Sequence, residues 1–130
     1  PVDVTVSKSL SRPDGLGIRP VGRVGANESI IDVGPDTISL FEKVIKTARM
    51  IIWNGSLGLT EVPAFKAGSL AIARVVAQSQ GEKIIGGGDL ISFLTAEKLI
   101  DKMTYVSTGG GAMLEFLAGE KLPGIEILGK

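Results

Sequence analysis

The sequence predicts an α/β fold of three layers, a mainly parallel sheet with helices on both faces, and three observations carry that expectation. Strand-length apolar runs alternate with stretches of helical period; strand-like runs end in Asn-Gly or triple glycine; and no low-complexity segment or linker divides the chain. In such sheets, ligands gather at the carboxyl ends of the strands.

The elements follow in order. Residues 2–6 alternate branched apolar and polar side chains and read as a strand, whereas residues 7–23, polar and punctuated by Gly and Pro, read as loop. Pro35 stands at a helix start, and Ile38, Phe41, Ile45 and Ala48 recur at helical spacing with Glu42 and Lys46 paired four apart. Met50-Ile51-Ile52-Trp53 is a continuous apolar run stopping at Asn54-Gly55, as a buried parallel strand does. Residues 64–78 place Phe65, Gly68, Ile72, Val75 and Val76 along one helical side, and Gly81 ends that helix. Lys83-Ile84-Ile85 leads as a strand into Gly86-Gly87-Gly88, and a helix begins near Asp89. Residues 104–107 form a last strand, and Gly109-Gly110-Gly111 opens a helix through Leu117.

Composition narrows the chemistry. The 130 residues make one domain, enough to bury about 65–70% of the unfolded surface. Fourteen basic residues balance fourteen acidic ones, so bulk charge gives no footing for nucleic acid. With neither cysteine nor histidine, the chain has no thiol nucleophile, disulfide, usual zinc set or histidine base, which leaves carboxylates, lysine, hydroxyls and backbone. No apolar stretch has the length of a membrane span, and Pro1 opens the chain without a methionine or signal peptide, so the N-terminus reads as trimmed.

Each motif admits a bland reading. A triple glycine after a strand is a tight turn or close-packing device, or else a phosphate cradle, because a helix start offers unpaired N–H groups and the positive end of the macrodipole. Asp89 is a helix cap, or the single carboxylate a magnesium ion takes beside phosphate oxygens. In Trp53-Asn54-Gly55-Ser56-Leu57-Gly58-Leu59-Thr60-Glu61, Trp53 is core, Asn54-Gly55 a turn and Glu61 a loop acid on the bland reading.

Taken together and in order, that segment, Gly86-Gly87-Gly88-Asp89 and Val106-Ser107-Thr108-Gly109-Gly110-Gly111-Ala112 resemble the phosphoglycerate kinase family. Pro1-Val2-Asp3-Val4, Asp32-Val33-Gly34-Pro35-Asp36-Thr37-Ile38 and Leu122-Pro123-Gly124-Ile125 extend the resemblance over nearly the whole chain. It implies a Rossmann-like three-layer sandwich, incomplete relative to the family domain. Residues 1–130 would be part of the C-terminal nucleotide-binding domain, with the N-terminal phosphoglycerate-binding domain absent. It further implies Mg2+ with ATP or ADP as cofactor, and transfer of a phosphoryl group between 1,3-bisphosphoglycerate and ADP, giving 3-phosphoglycerate and ATP in cytoplasmic glycolysis. By position, Asn54 and Gly55 would lie near the ribose and phosphates, and Glu61 would hold the ribose hydroxyls. Gly86, Gly87 and Gly88 would face the nucleotide phosphates, Asp89 would bind the metal, and Gly109, Gly110 and Gly111 would approach the transferring phosphoryl group.

Three residues depart from the family pattern: Leu90 where a hydroxyl is common, Ser56 for a proline and Thr60 for an aromatic residue. The basic phosphoglycerate site and the family's glycine- and lysine-bearing nucleotide segment are not in this chain, so the isolated chain is expected to be inactive. The parent is expected to be a monomer, and the fragment to self-associate through an exposed sheet edge. A nonenzymatic nucleotide-binding or assembly module built on the same half-domain is the alternative. A dinucleotide oxidoreductase is disfavoured because no Gly-x-Gly-x-x-Gly follows the first strand.

Overall fold

The computed structural model describes residues 1–129 and is an α/β structure built on two three-stranded sheets. Strands β1 (Asp3–Ser7), β2 (Gly17–Pro20) and β3 (Ser29–Val33) form an antiparallel sheet in the order β2-β1-β3. Helix α1 (Pro35–Ile45) leads to β4 (Met50–Asn54), α2 (Ala67–Gln78), β5 (Glu82–Gly86), α3 (Gly88–Ala96), β6 (Tyr105–Ser107) and α4 (Gly110–Leu117). A last short helix, α5, spans Pro123–Leu128. Strands β4, β5 and β6 are parallel and adjacent in chain order, which makes this half the Rossmann-like unit that the alternation predicted.

The antiparallel sheet is the main departure from the sequence reading. Residues 17–20 form a strand inside the expected loop, and β3 is a strand that the apolar pattern did not announce. The cause is local: β2 is a four-residue edge strand bounded by Gly17 and Pro20, alternately half-buried and exposed, so its composition is that of a turn.

Register divides the parallel sheet into two faces. Trp53, Ile85 and Val106 lie side by side on one face, and Ile52, Ile84 and Tyr105 on the other. The first face is the core: Trp53 and Ile85 pack with Ile72 and Val76 of α2 and with Leu90, Phe93 and Leu94 of α3. The two crossover helices, α2 and α3, therefore cover the same side of the sheet. Helix α4 follows the last strand and approaches the opposite face, with the Met113 methyl against Gly86. The Nε1 of Trp53 is buried without a hydrogen-bond partner.

The two sheets are joined through helix N-termini. Neither α1 nor α2 carries its own side-chain cap. Instead Asp3 of β1 accepts hydrogen bonds from the Asp36 and Thr37 amides at 3.1 and 2.7 Å, and Asp32 of β3 accepts one from the Ser69 amide at 2.8 Å. Each carboxylate satisfies orphan donors of a first turn and faces the positive end of a helix dipole. The Lys66–Glu97 ion pair, 2.5 Å and part-buried, ties the approach to α2 to the end of α3. Among the described residues no helix is long and apolar enough to cross a membrane.

Candidate functional site

The predicted site residues lie at the carboxyl ends of three neighbouring strands, because Asn54, Gly86 and Ser107 share one register position across β4, β5 and β6. Each strand stops there for a chemical reason. Asn54-Gly55 turns the chain with Gly55 at φ 79°, Gly87 takes φ 92°, and a β-carbon at Gly87 would sit 2.9 Å from Asn54 Oδ1.

The two glycine runs, separate in sequence, are in contact. A β-carbon on Gly110 would lie 2.5 Å from the Gly87 amide nitrogen, closer than any side chain tolerates. Asn54 bridges them: its Nδ2 donates to the Gly110 carbonyl at 2.8 Å, while the Gly55 amide donates to the Gly86 carbonyl at 3.1 Å. The two glycine turns thus form one composite, with α3 and α4 starting side by side.

What the composite presents is backbone. The first helical bonds are Ile91 N–H to Gly87 O in α3 and Met113 N–H to Gly109 O in α4, so the amides of residues 88–90 and 110–112 precede them. Neither helix start is closed by a side-chain cap. Leaving aside the amide of fully buried Leu90, five amides at two adjacent positive dipole ends make a setting able to take phosphate oxygens.

Beside this composite, Glu61 and Asp89 line one cleft of about 230 Å³ with Thr60, Ser92, Phe93 and Ala96. The loop bringing Glu61 there is pinned by Leu59 N–H to Ile31 O at 2.8 Å. Asp89 stands in the first turn of α3 and so belongs to both the cleft and the glycine composite. Among the described residues no cluster of three acids, cysteines or histidines could cage a metal alone. Asp89, exposed at the start of α3, fits a magnesium ion that would take most of its ligands from phosphate and water.

The departures fall in different places. Leu90 is fully buried in the core against Ile85, so its side chain turns away from the cradle rather than leaving a gap in it. Ser56 is exposed, and Thr60 lines the Glu61 cleft. Sequence reading missed Ser92 as a cleft residue; the signal available was its position one helical turn after Asp89.

A family model described as phosphoglycerate kinase matches residues 1–120. A phosphoglycerate kinase of Coxiella burnetii (strain RSA 493 / Nine Mile phase I) is 46% identical over 128 residues, covering 98% of this chain and 33% of that protein. One of Buchnera aphidicola subsp. Schizaphis graminum (strain Sg) is 40% identical over the same length, again covering 33% of the relative. The solved phosphoglycerate kinase from Coxiella burnetii superposes with a TM-score of 0.90 at 46% identity over 98% of this chain and 33% of its own. That from Pyrococcus horikoshii OT3 superposes with a TM-score of 0.81 at 30% identity, covering 97% and 31%. The chain spans about a third of the length of the relatives it matches.

Proposed function

The chain belongs to the phosphoglycerate kinase family, and from that premise we propose that it supplies the metal and phosphate end of a nucleotide site. The whole protein would transfer a phosphoryl group between 1,3-bisphosphoglycerate and ADP, in cytoplasmic glycolysis. The observation that carries the reading is the contact between the two glycine runs. It sets two helix starts side by side, where one group of phosphates can meet both.

The residue roles are those that the family resemblance implies at the matching positions. The amides around Gly86, Gly87 and Gly88 hold nucleotide phosphates; those around Gly109, Gly110 and Gly111 face the phosphoryl group in transit. Glu61, at the far side of the cleft, accepts hydrogen bonds from ribose hydroxyls. Asp89 holds Mg2+, which when bound neutralises phosphate charge. Asn54 and Gly55 position the two turns against each other, so that donors need no rearrangement as charge shifts between phosphate oxygens. Such transfer rests on alignment and charge neutralisation and a carboxylate acceptor needs no strong base, which agrees with a chain lacking histidine.

By itself the 130-residue chain contributes neither a basic acceptor site nor a lysine-bearing nucleotide segment, and we expect no turnover from it. Binding is the accessible property. Calorimetric titration with ADP should give heat that requires Mg2+ and falls at least about tenfold in apparent affinity in Asp89→Ala. Heat of the same size without Mg2+, or unchanged in Asp89→Ala, would contradict the assignment.

A further inference from the structure

The cleft that holds Glu61 and Asp89 has two walls carried by separate elements. The loop between β4 and α2 presents Thr60 and Glu61, and α3 presents Asp89, Ser92, Phe93 and Ala96 along one side. The loop wall rests on the antiparallel sheet: Leu59 N–H donates to the Ile31 carbonyl, and a β-carbon at Gly58 would come within 2.3 Å of that same oxygen. Helix α3 instead continues from β5 of the parallel sheet. Held from different sheets, Glu61 and Asp89 keep their spacing only as far as the two walls are joined.

One polar link joins them. Lys66, where the loop enters α2, donates to Glu97, where α3 ends, and among the described residues this is the only side-chain hydrogen bond between the loop and α3. Both partners are fixed at their backbones. Phe65, beside Lys66, is 1% exposed, and the Glu97 amide donates to the carbonyl of the cleft residue Phe93 at 3.0 Å. The pair is also the most sheltered in the chain: its side chains are 27% and 18% exposed, against 63% and 37% for Lys46–Glu42. Solvent and salt therefore screen it less than the pair on α1. Neither Lys66 nor Glu97 lines the cleft, so any effect on a ligand passes through the walls.

We propose that Lys66 and Glu97 are positioning residues, a clasp that sets the width of the cleft and with it the reach of Glu61 toward the ribose hydroxyls of a nucleotide. The proposal rests on the nucleotide reading above and deepens it. Calorimetry in Mg2+ with ADP and with 2′,3′-dideoxy-ADP tests it, because only ADP carries the hydroxyls that Glu61 would hold. The parent chain should prefer ADP. Lys66→Met and Glu97→Gln should each lower that preference about threefold, with dideoxy-ADP affinity kept within about twofold. Lys66→Glu combined with Glu97→Lys, which rebuilds the pair reversed, should recover most of the loss. In Glu61→Gln the preference should be gone, and adding Lys66→Met should change it no further. Without ligand, the amides of residues 60–62 should exchange about threefold faster in Lys66→Met and at the parent rate in Lys46→Met. Circular dichroism equal to that of the parent would qualify each variant as folded. An unchanged preference in both single variants, equal losses for both nucleotides, or a reversed pair that recovers nothing would overturn the clasp. A parent chain without preference for ADP would overturn the role of Glu61 instead. The ligand-free exchange then decides the clasp: faster exchange at residues 60–62 in Lys66→Met supports it, and unchanged exchange overturns it.

Discussion

Asn54 does more than end a strand. Its amide donates to the Gly110 carbonyl, and its Oδ1 faces the space a Gly87 β-carbon would need. The requirement for glycine is therefore unequal within each run. At Gly110 a methyl group would meet backbone that cannot swing aside, whereas at Gly111 nothing lies within 4 Å. Gly110→Ala should thus destabilise the fold by about 1–3 kcal/mol. Gly111→Ala, in the first turn of α4, should be neutral or stabilising by up to about 1 kcal/mol. Urea denaturation of the two variants compares them directly, and equal effects would mean that the two runs do not touch. A row of three glycines in the sequence announces a special backbone; which of the three is sterically obligatory depends on the backbone of Gly87 in the other run, and nothing local reveals it.

At the scale of elements, the helices were readable from their periodicity and their ends were not. The apolar spacing of Ile38, Phe41 and Ile45 marks α1, and the exposed Glu42–Lys46 pair forms as expected, worth about 0.3–0.5 kcal/mol. The cap of α1, however, is Asp3, more than thirty residues earlier, and only the pairing of β1 with β3 brings it there. Burial raises the Asp3 pKa, but hydrogen bonds from the Thr37 hydroxyl and amide and the Asp36 amide outweigh it, leaving the carboxyl below its ordinary value. A lowered folded pKa contributes stability that is present above the unfolded value and lost as pH falls through the folded one. Asp3→Asn should cost about 1–3 kcal/mol near neutrality. The difference from the parent chain should shrink below about pH 4, which thermal melts across pH would show; a constant difference would contradict it.

Helix ends also differ in residue choice. Both α3 and α4 close with the paired bonds of a left-handed cap: Leu99 N–H to Leu94 O and Lys98 N–H to Thr95 O in one, Glu120 N–H to Glu115 O and Gly119 N–H to Phe116 O in the other. The left-handed residue is Gly119 at φ 79° in α4 but Lys98 at φ 58° in α3. Lys98→Gly should therefore stabilise the chain by about 1 kcal/mol, read as a raised melting temperature; a fall would show that the lysine side chain contributes more than the strain costs.

For the whole molecule, the half built from β4 to α4 was visible in the sequence because its elements obey local rules: apolar runs of strand length, glycine at strand ends, helical stripes between. In the half from β1 to β3 only β1 was visible, by its alternation; β2 is short and exposed, and β3 is interrupted by Asp32, whose carboxylate serves α2 through the Ser69 amide and hydroxyl. The site shows the same division. Its candidate residues come from sequence motifs, but the contact between the two glycine runs exists only once β4, β5 and β6 are in register.

That contact is the centre of the functional account, and amide NMR of the isotope-labelled chain during titration with magnesium ATP tests it most directly. The amides of residues 87–90 and 110–112 should shift together along one binding curve, and in Asn54→Ala the residue 110–112 shifts should collapse while the residue 87–90 shifts persist. Shifts confined to one glycine run in the parent chain, or a titration unchanged by Asn54→Ala, would contradict a single composite site.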